Sequence, residues 1–171
     1  MGKHNRNVSG LNPNDFKFFK YDDPYVKDQI TKCSICGLTA LQDQYGNGEC
    51  PNCGWKFSKD EEMFEKELGV SYPMLVTPTT AREQYKKGLP FKATFEEFLN
   101  GLYFYSEMLF EYGETTYEVF LKGDGTIVFC SKDMQQEYKT REEFENNANI
   151  DGVLLEQLWD KVEKPSFMYC G

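Results

Sequence analysis

An α+β fold in two parts is expected of this 171-residue chain, on three observations. Two Cys-x-x-Cys pairs stand close together near the N-terminal end. Three runs of alternating apolar and polar residues follow a capped helix further on. The charge balance changes abruptly near residue 90. Residues 1–90 carry 12 basic and 12 acidic side chains, whereas residues 91–171 carry 7 and 16, so the second half holds the whole formal net charge of −9. Such asymmetry marks two units with different surfaces. Hydrophobic content of 40% with 16% aromatics supplies enough apolar material for a packed core and excludes wholesale disorder.

Residues 1–14 are polar, broken by Ser9-Gly10 and Asn12-Pro13, and read as a loose tail. The segment 15–31 mixes aromatic residues with charges and predicts a short helix or an irregular stretch against the core. Cys33-Ser34-Ile35-Cys36-Gly37 and Cys50-Pro51-Asn52-Cys53-Gly54 are two knuckles separated by 13 residues. Two cysteines three apart grip one ion from a tight turn. The glycine behind each pair permits the left-handed backbone that aims amide N–H groups at the thiolates. Together they supply the four soft ligands of a closed tetrahedral site, with no position left open for catalysis. Tyr45-Gly46-Asn47-Gly48 between them is a hairpin signal. A zinc ribbon holding one structural Zn²⁺ on Cys33, Cys36, Cys50 and Cys53 is therefore expected. Iron is the rival, since thiolates accept either metal and the spacing is also similar to rubredoxin-like modules.

Helices should flank this ribbon. Ser58 and Glu61 form a capping-box pattern ahead of Met63, Phe64 and Leu68. Thr77-Pro78 opens a second helix through Ala81 and Tyr85, stopped by Gly88 with Pro90 beyond. The boundary between a 15–90 zinc-ribbon domain and a 91–171 acidic α+β domain falls at this stop. The acidic unit reads as helix, three-stranded antiparallel meander and two helices. Thr94 and Glu97 cap the first helix, which carries Phe95, Phe98, Leu99 and Leu102. The strands place Met108, Phe110 and Tyr112, then Tyr117, Val119 and Leu121, then Ile127 and Phe129 on one face, with turns at Gly113-Glu114 and Gly123-Asp124-Gly125. Thr140 and Glu143 cap another helix. Asp151 is expected to cap a last one, whose Leu154, Leu155, Leu158, Trp159 and Val162 form an apolar stripe.

The stretch Cys33–Gly88 resembles the cysteine-rich CPCC family. The likeness lies in Cys33-x-x-Cys36-Gly37, Thr39-x-Leu41, Glu49-Cys50-Pro51-x-Cys53-x-Trp55 and the trailing Thr80-Ala81-Arg82-Glu83-Gln84-Tyr85 with Gly88. Ile35 stands where the family has a further cysteine, and Lys56-Phe57 replaces an acidic pair. The resemblance implies a zinc-bound bacterial or phage-associated module, found in some cases near toxin and immunity genes, and it implies no reaction.

Trp55 is expected to pack over the metal site, and Tyr103, Phe104 and Tyr105 to pack under the sheet. Cys130 reads as a small buried residue and Cys170 as a free thiol in the tail. The only histidine is His4, and no nucleophile elbow, Walker loop or selected carboxylate pair is present, so the sequence gives no support to an enzyme. No signal h-region follows the polar start and no apolar stretch approaches a membrane span, so a cytoplasmic protein is expected. The expected function is a non-enzymatic protein-interaction module, with an inhibitor or immunity protein the class that suits it best. Glu114, Glu118 and Glu137 would steer it to a basic, nucleic-acid-handling protein partner. The alternatives are a nucleic-acid-binding ribbon, with Lys56, Lys59, Lys86 and Lys87 touching phosphates, and an iron electron-transfer module.

Overall fold

The computed structural model describes residues 30–168. The expected tail at 1–14, nearly all of the 15–31 segment, His4 and Cys170 lie outside them. The first part is a four-stranded antiparallel sheet in sequential order: β1 (Ile30–Lys32), β2 (Thr39–Gln42), β3 (Gly48–Glu49) and β4 (Lys56–Phe57). The expected turn joins β2 to β3. The Asp43 carboxylate holds it by accepting the Tyr45 and Asn47 N–H groups at 2.8 and 2.9 Å. Gly48 is required where the strands meet, because a Cβ there would stand 2.2 Å from the Leu41 carbonyl oxygen.

Helix α1 (Glu61–Leu68) begins one residue after Asp60, which takes the cap position expected of Ser58. The Glu61 N–H instead closes a turn onto the Ser58 carbonyl at 3.3 Å. The Glu61 side chain turns away from the helix start, into the metal segment. Helix α2 (Pro78–Lys86) starts and stops as expected, with Thr77 at its cap and Gly88 at φ +68° beyond it.

The second sheet has five strands. Helix α3 (Phe95–Tyr105) carries the full Thr94–Glu97 capping box. Strands β5 (Glu107–Tyr112), β6 (Thr115–Leu121) and β7 (Ile127–Cys130) are the expected meander. Two strands extend it: β8 (Gln135–Tyr138) at one edge and β11 (Glu163–Phe167), which returns beside β5, at the other. Helix α4 (Arg141–Asn147) has Thr140 as its cap, but Glu143 reaches the Lys139 N–H rather than completing a box with Thr140.

The expected long last helix is corrected. Asp151 and Gly152 take φ of +53° and +81° and form the turn of a small hairpin, β9 (Asn149–Ile150) with β10 (Val153–Leu154). Only α5 (Leu155–Leu158) and a 3₁₀ turn (Trp159–Lys161) follow. An Asp-Gly pair with both φ positive is the favoured two-residue hairpin turn, and it overrides the helical spacing of the leucines. Leu155, Leu158, Trp159 and Val162 are nevertheless buried.

Met108, Phe110, Val119, Ile127 and Phe129 face inward from the sheet, and Phe98 of α3 lies between Phe110 and Trp159 with ring centroids at 5.8 and 4.8 Å. The buried cluster runs without a break from Cys33, Cys50 and Trp55 through Leu75 and Val76 to Leu155 and Trp159. Side-chain contacts cross residues 88–91. Trp55 meets Phe91 edge-on at 5.5 Å. The N–H and hydroxyl of Thr77 donate to Glu97 Oε1 at 2.9 and 2.6 Å, while Oε2 of the same carboxylate accepts the Thr94 N–H at 2.7 Å. One buried carboxylate thus anchors the starts of both α2 and α3.

Of the aromatic run at the end of α3, only Tyr105 packs down as expected. Its ring stacks on Phe167 at 3.8 Å and its hydroxyl donates to the Ser71 carbonyl. Tyr103 and Phe104 stand 48% and 43% exposed.

Candidate metal centre

The β1–β2 and β3–β4 connections are the two knuckles, and they fold alike. In the first, the Cys33 N–H donates to the Leu38 carbonyl at 2.9 Å and the Gly37 N–H to the Cys33 carbonyl at 2.9 Å. In the second, the Cys50 N–H donates to the Trp55 carbonyl and the Gly54 N–H to the Cys50 carbonyl, both at 2.8 Å. Gly37 and Gly54 have φ of +72° and +75° with open space where a Cβ would stand. Their requirement is conformational, not steric.

This pairing of strands brings four thiols together. Cys33 Sγ lies 3.7 Å from Cys53 Sγ, and Cys36 Sγ lies 3.5 Å from Cys50 Sγ. All four sulfurs are within 4.8 Å of one another. Metal–sulfur bonds of about 2.3 Å in a tetrahedron require sulfur–sulfur edges of about 3.8 Å, so the donor set fits an ion at its centre. Cys33 and Cys50 are buried while Cys36 and Cys53 are half-buried.

Such crowding sets the proton chemistry. The Cys33 thiol is pulled down to about 5, chiefly by the hydrogen bond with the Cys53 thiol. Cys53 is pushed up by that same bond, and Cys36 is pushed up to about 11, chiefly by burial. Without a cation the cluster favours a shared proton over full ionisation. A divalent ion reverses this by supplying the positive charge that four thiolates need.

Side chains beyond the thiols fix the knuckles. Glu61 is buried, and its two oxygens accept from Ser34 Oγ at 2.6 Å and from Trp55 Nε1 at 2.9 Å. It therefore ties the first knuckle to the residue that closes the second. Burial is the main cause that holds its carboxyl above the ordinary range. Arg82 of α2 donates from Nε to the Ser34 carbonyl at 3.0 Å, and Ala81 beside it is fully buried. The Ile35 N–H points at Cys33 Sγ at 3.4 Å, and the Asn52 amide lies 3.8 Å from Cys50 Sγ. Trp55 is buried as expected; its ring meets Phe91 of the segment leading to α3. The Glu61 clasp is the feature that sequence reasoning missed. Its only signal, a glutamate three residues after Ser58, has a helix-capping explanation instead.

Cys130 lies outside this group, half-buried on β7 opposite Glu118 and Gln135. The strand register puts Glu118 and Glu137 on the sheet face opposite the core, with Glu107 and Glu111 of β5. Glu114 is exposed in the β5–β6 turn, away from that row. Glu137 is neutralised by Lys122 at 2.7 Å, and Glu111 by Lys164 at 2.7 Å. Glu118 is held above the ordinary range by burial and by Glu107 beside it. Lys59, Lys86 and Lys87 are exposed, and Lys56 lies 4.0 Å from Glu49.

No family model, no curated protein and no solved structure matches the chain, so the likeness of residues 33–88 to the CPCC family rests on the residues quoted for it. Among the described residues, no helix is long and apolar enough to cross a membrane.

Proposed function

We propose that Cys33, Cys36, Cys50 and Cys53 hold one structural zinc ion as a zinc ribbon, in a non-enzymatic module whose acidic sheet face binds a basic protein. The observation that carries the metal reading is the closed set of four sulfurs within 4.8 Å, presented by two matching knuckles. Zinc is favoured by a tetrahedral all-thiolate set with every position filled. A reducing interior such as the cytoplasm keeps such thiols free for metal.

The interaction reading rests on charge. The second half of the chain carries all of the net −9, and its sheet face gathers the four glutamates Glu107, Glu111, Glu118 and Glu137, with Glu107 and Glu118 side by side. Charge of this kind raises association rate with a basic partner, including one that itself handles nucleic acid. The lysines needed for the nucleic-acid alternative are spread over β4, the start of α1 and the end of α2, beside a neutral-to-acidic surface.

Two measurements test the proposal. Elemental analysis should give one zinc per chain, with no iron and no colour. A partner captured from the native host should associate more slowly with the double variant Glu107→Lys/Glu118→Lys, whose melting should be unchanged. Tight low-salt binding of duplex or single-stranded DNA, lost on changing the lysines and untouched by the acids, would overturn it in favour of the nucleic-acid reading.

A further inference from the structure

A cavity of about 460 Å³ opens between the β2–β3 turn, the start of α1 and the end of α3. Its volume falls in the range of small-molecule sites. Phe64, Phe104, Tyr105 and Tyr72 line the apolar side. Phe64 meets Phe104 edge-on at 5.7 Å, and Phe104 meets Tyr105 at 4.8 Å with ring planes 89° apart. The rings therefore make walls that meet at angles rather than one flat stack. This arrangement explains why Phe104 stays 43% exposed at the end of an amphipathic helix.

The polar side offers acceptors. Ser58 is 7% exposed and lines the cavity, yet its hydroxyl has no hydrogen-bond partner among the described residues. That oxygen is closed off from solvent, so Ser58 contributes to the wall rather than an exposed acceptor. Asp60 also lines the cavity. It occupies the cap position of α1, but its carboxylate makes no capping hydrogen bond, and no ion pair holds it among the described residues. Asn47 adds a side-chain amide. Among the described lining residues there is no lysine or arginine. Asp60 is the charged group among the described lining residues, so the site's charge selects a cation. Aromatic faces beside one carboxylate are the chemistry that recognises organic ammonium ions.

We propose that this cavity binds an organic ammonium ion, its N–H groups donating to Asp60 and its apolar part lying against Phe64, Phe104, Tyr105 and Tyr72. The site is separate from the thiol cluster and needs no metal chemistry. Either a free amine or the ammonium of a lysine side chain on a peptide supplies this group.

Calorimetric titration of the full chain tests it with phenethylammonium, the neutral phenethyl alcohol, the anion 3-phenylpropionate and a short lysine peptide. Saturable binding of the ammonium is expected, with the alcohol at least about tenfold weaker and the carboxylate not bound. Asp60→Asn and Phe104→Ala should each weaken the ammonium about tenfold, while Glu114→Gln leaves it unchanged. Phe104→Leu keeps the apolar bulk and removes the ring, so a loss of binding in it separates π recognition from misfolding. Preference for the lysine peptide with the same variant pattern would support the site and assign its ligand to a peptide. No saturable binding of either cation, equal binding of the alcohol or carboxylate, or an Asp60→Asn variant that binds normally would overturn the proposal.

Discussion

Glu61 does more for the metal segment than its place at a helix start implies. Its carboxylate accepts from both the Ser34 hydroxyl and the buried Trp55 indole. Glu61→Ala strands the indole N–H in the core and should lower stability by about 3 kcal/mol, measured by urea denaturation of the metal-loaded protein. Glu61→Gln keeps one acceptor and should cost less. Neither variant titrates at this position, so the native chain alone carries its pH response. Burial raises the folded-state carboxyl above its ordinary value of 4.5, so folding takes up a proton between the two values. This group's contribution is therefore most favourable below 4.5 and declines as pH rises through the folded value. Stability of the native chain relative to Glu61→Gln should fall over that rise; a difference independent of pH would contradict the assignment. The cysteines themselves were legible at the residue scale, because i, i+3 spacing followed by glycine has a direct geometric meaning. The Glu61 clasp was not, since it depends on a pairing across 27 residues.

Elements with strong local signals matched expectation: α2 and α3 by their threonine caps, β5 to β7 by alternation. Strands β8 and β11 were hidden for physical reasons. Gln135-Gln136-Glu137-Tyr138 is an edge strand with a single buried residue, Tyr138. Strand β11 contains Pro165, has Lys164 at φ +49° and shifts register between Glu163 and Ser166. Proline and bulges are how sheet edges avoid further pairing, and they also erase the alternating pattern. The Asp151-Gly152 turn was readable but lost to a leucine-rich helical spacing. At the β2–β3 pairing, Gly48→Ala puts a methyl against the Leu41 carbonyl at 2.2 Å and the Phe57 ring at 2.7 Å. The strands between the knuckles must then part, at a cost of about 2 kcal/mol, and a chelator should strip metal from this variant faster than from the native chain. Gly37→Ala meets no atom and should show the smaller effect of left-handed strain alone, about 1 kcal/mol.

Charge divides the molecule at residues 88–91, whereas buried contacts cross that line. Trp55 against Phe91 and Thr77 on Glu97 join the metal segment to the acidic sheet. A fragment beginning at Phe91 loses the cover of Leu75, Val76 and Trp55 over the core, and about 80 residues is near the small end for a lone core. It should melt well below the full chain, with Glu97 left short of the Thr77 donors. The same continuity means that the thiol cluster supports more than its own loops. Metal should raise the melting temperature of the whole chain in one transition, as binding to the folded state alone requires. The most direct test is native mass spectrometry paired with thermal unfolding, on the purified chain and on Cys50→Ser and Cys130→Ala. The expected result is one zinc on the native chain and on Cys130→Ala, with loss of the ion and a lower melting temperature in Cys50→Ser. A native chain that carries no metal and melts unchanged when Cys50 is replaced, or a Cys130→Ala variant that loses the ion, would contradict the four-thiolate site.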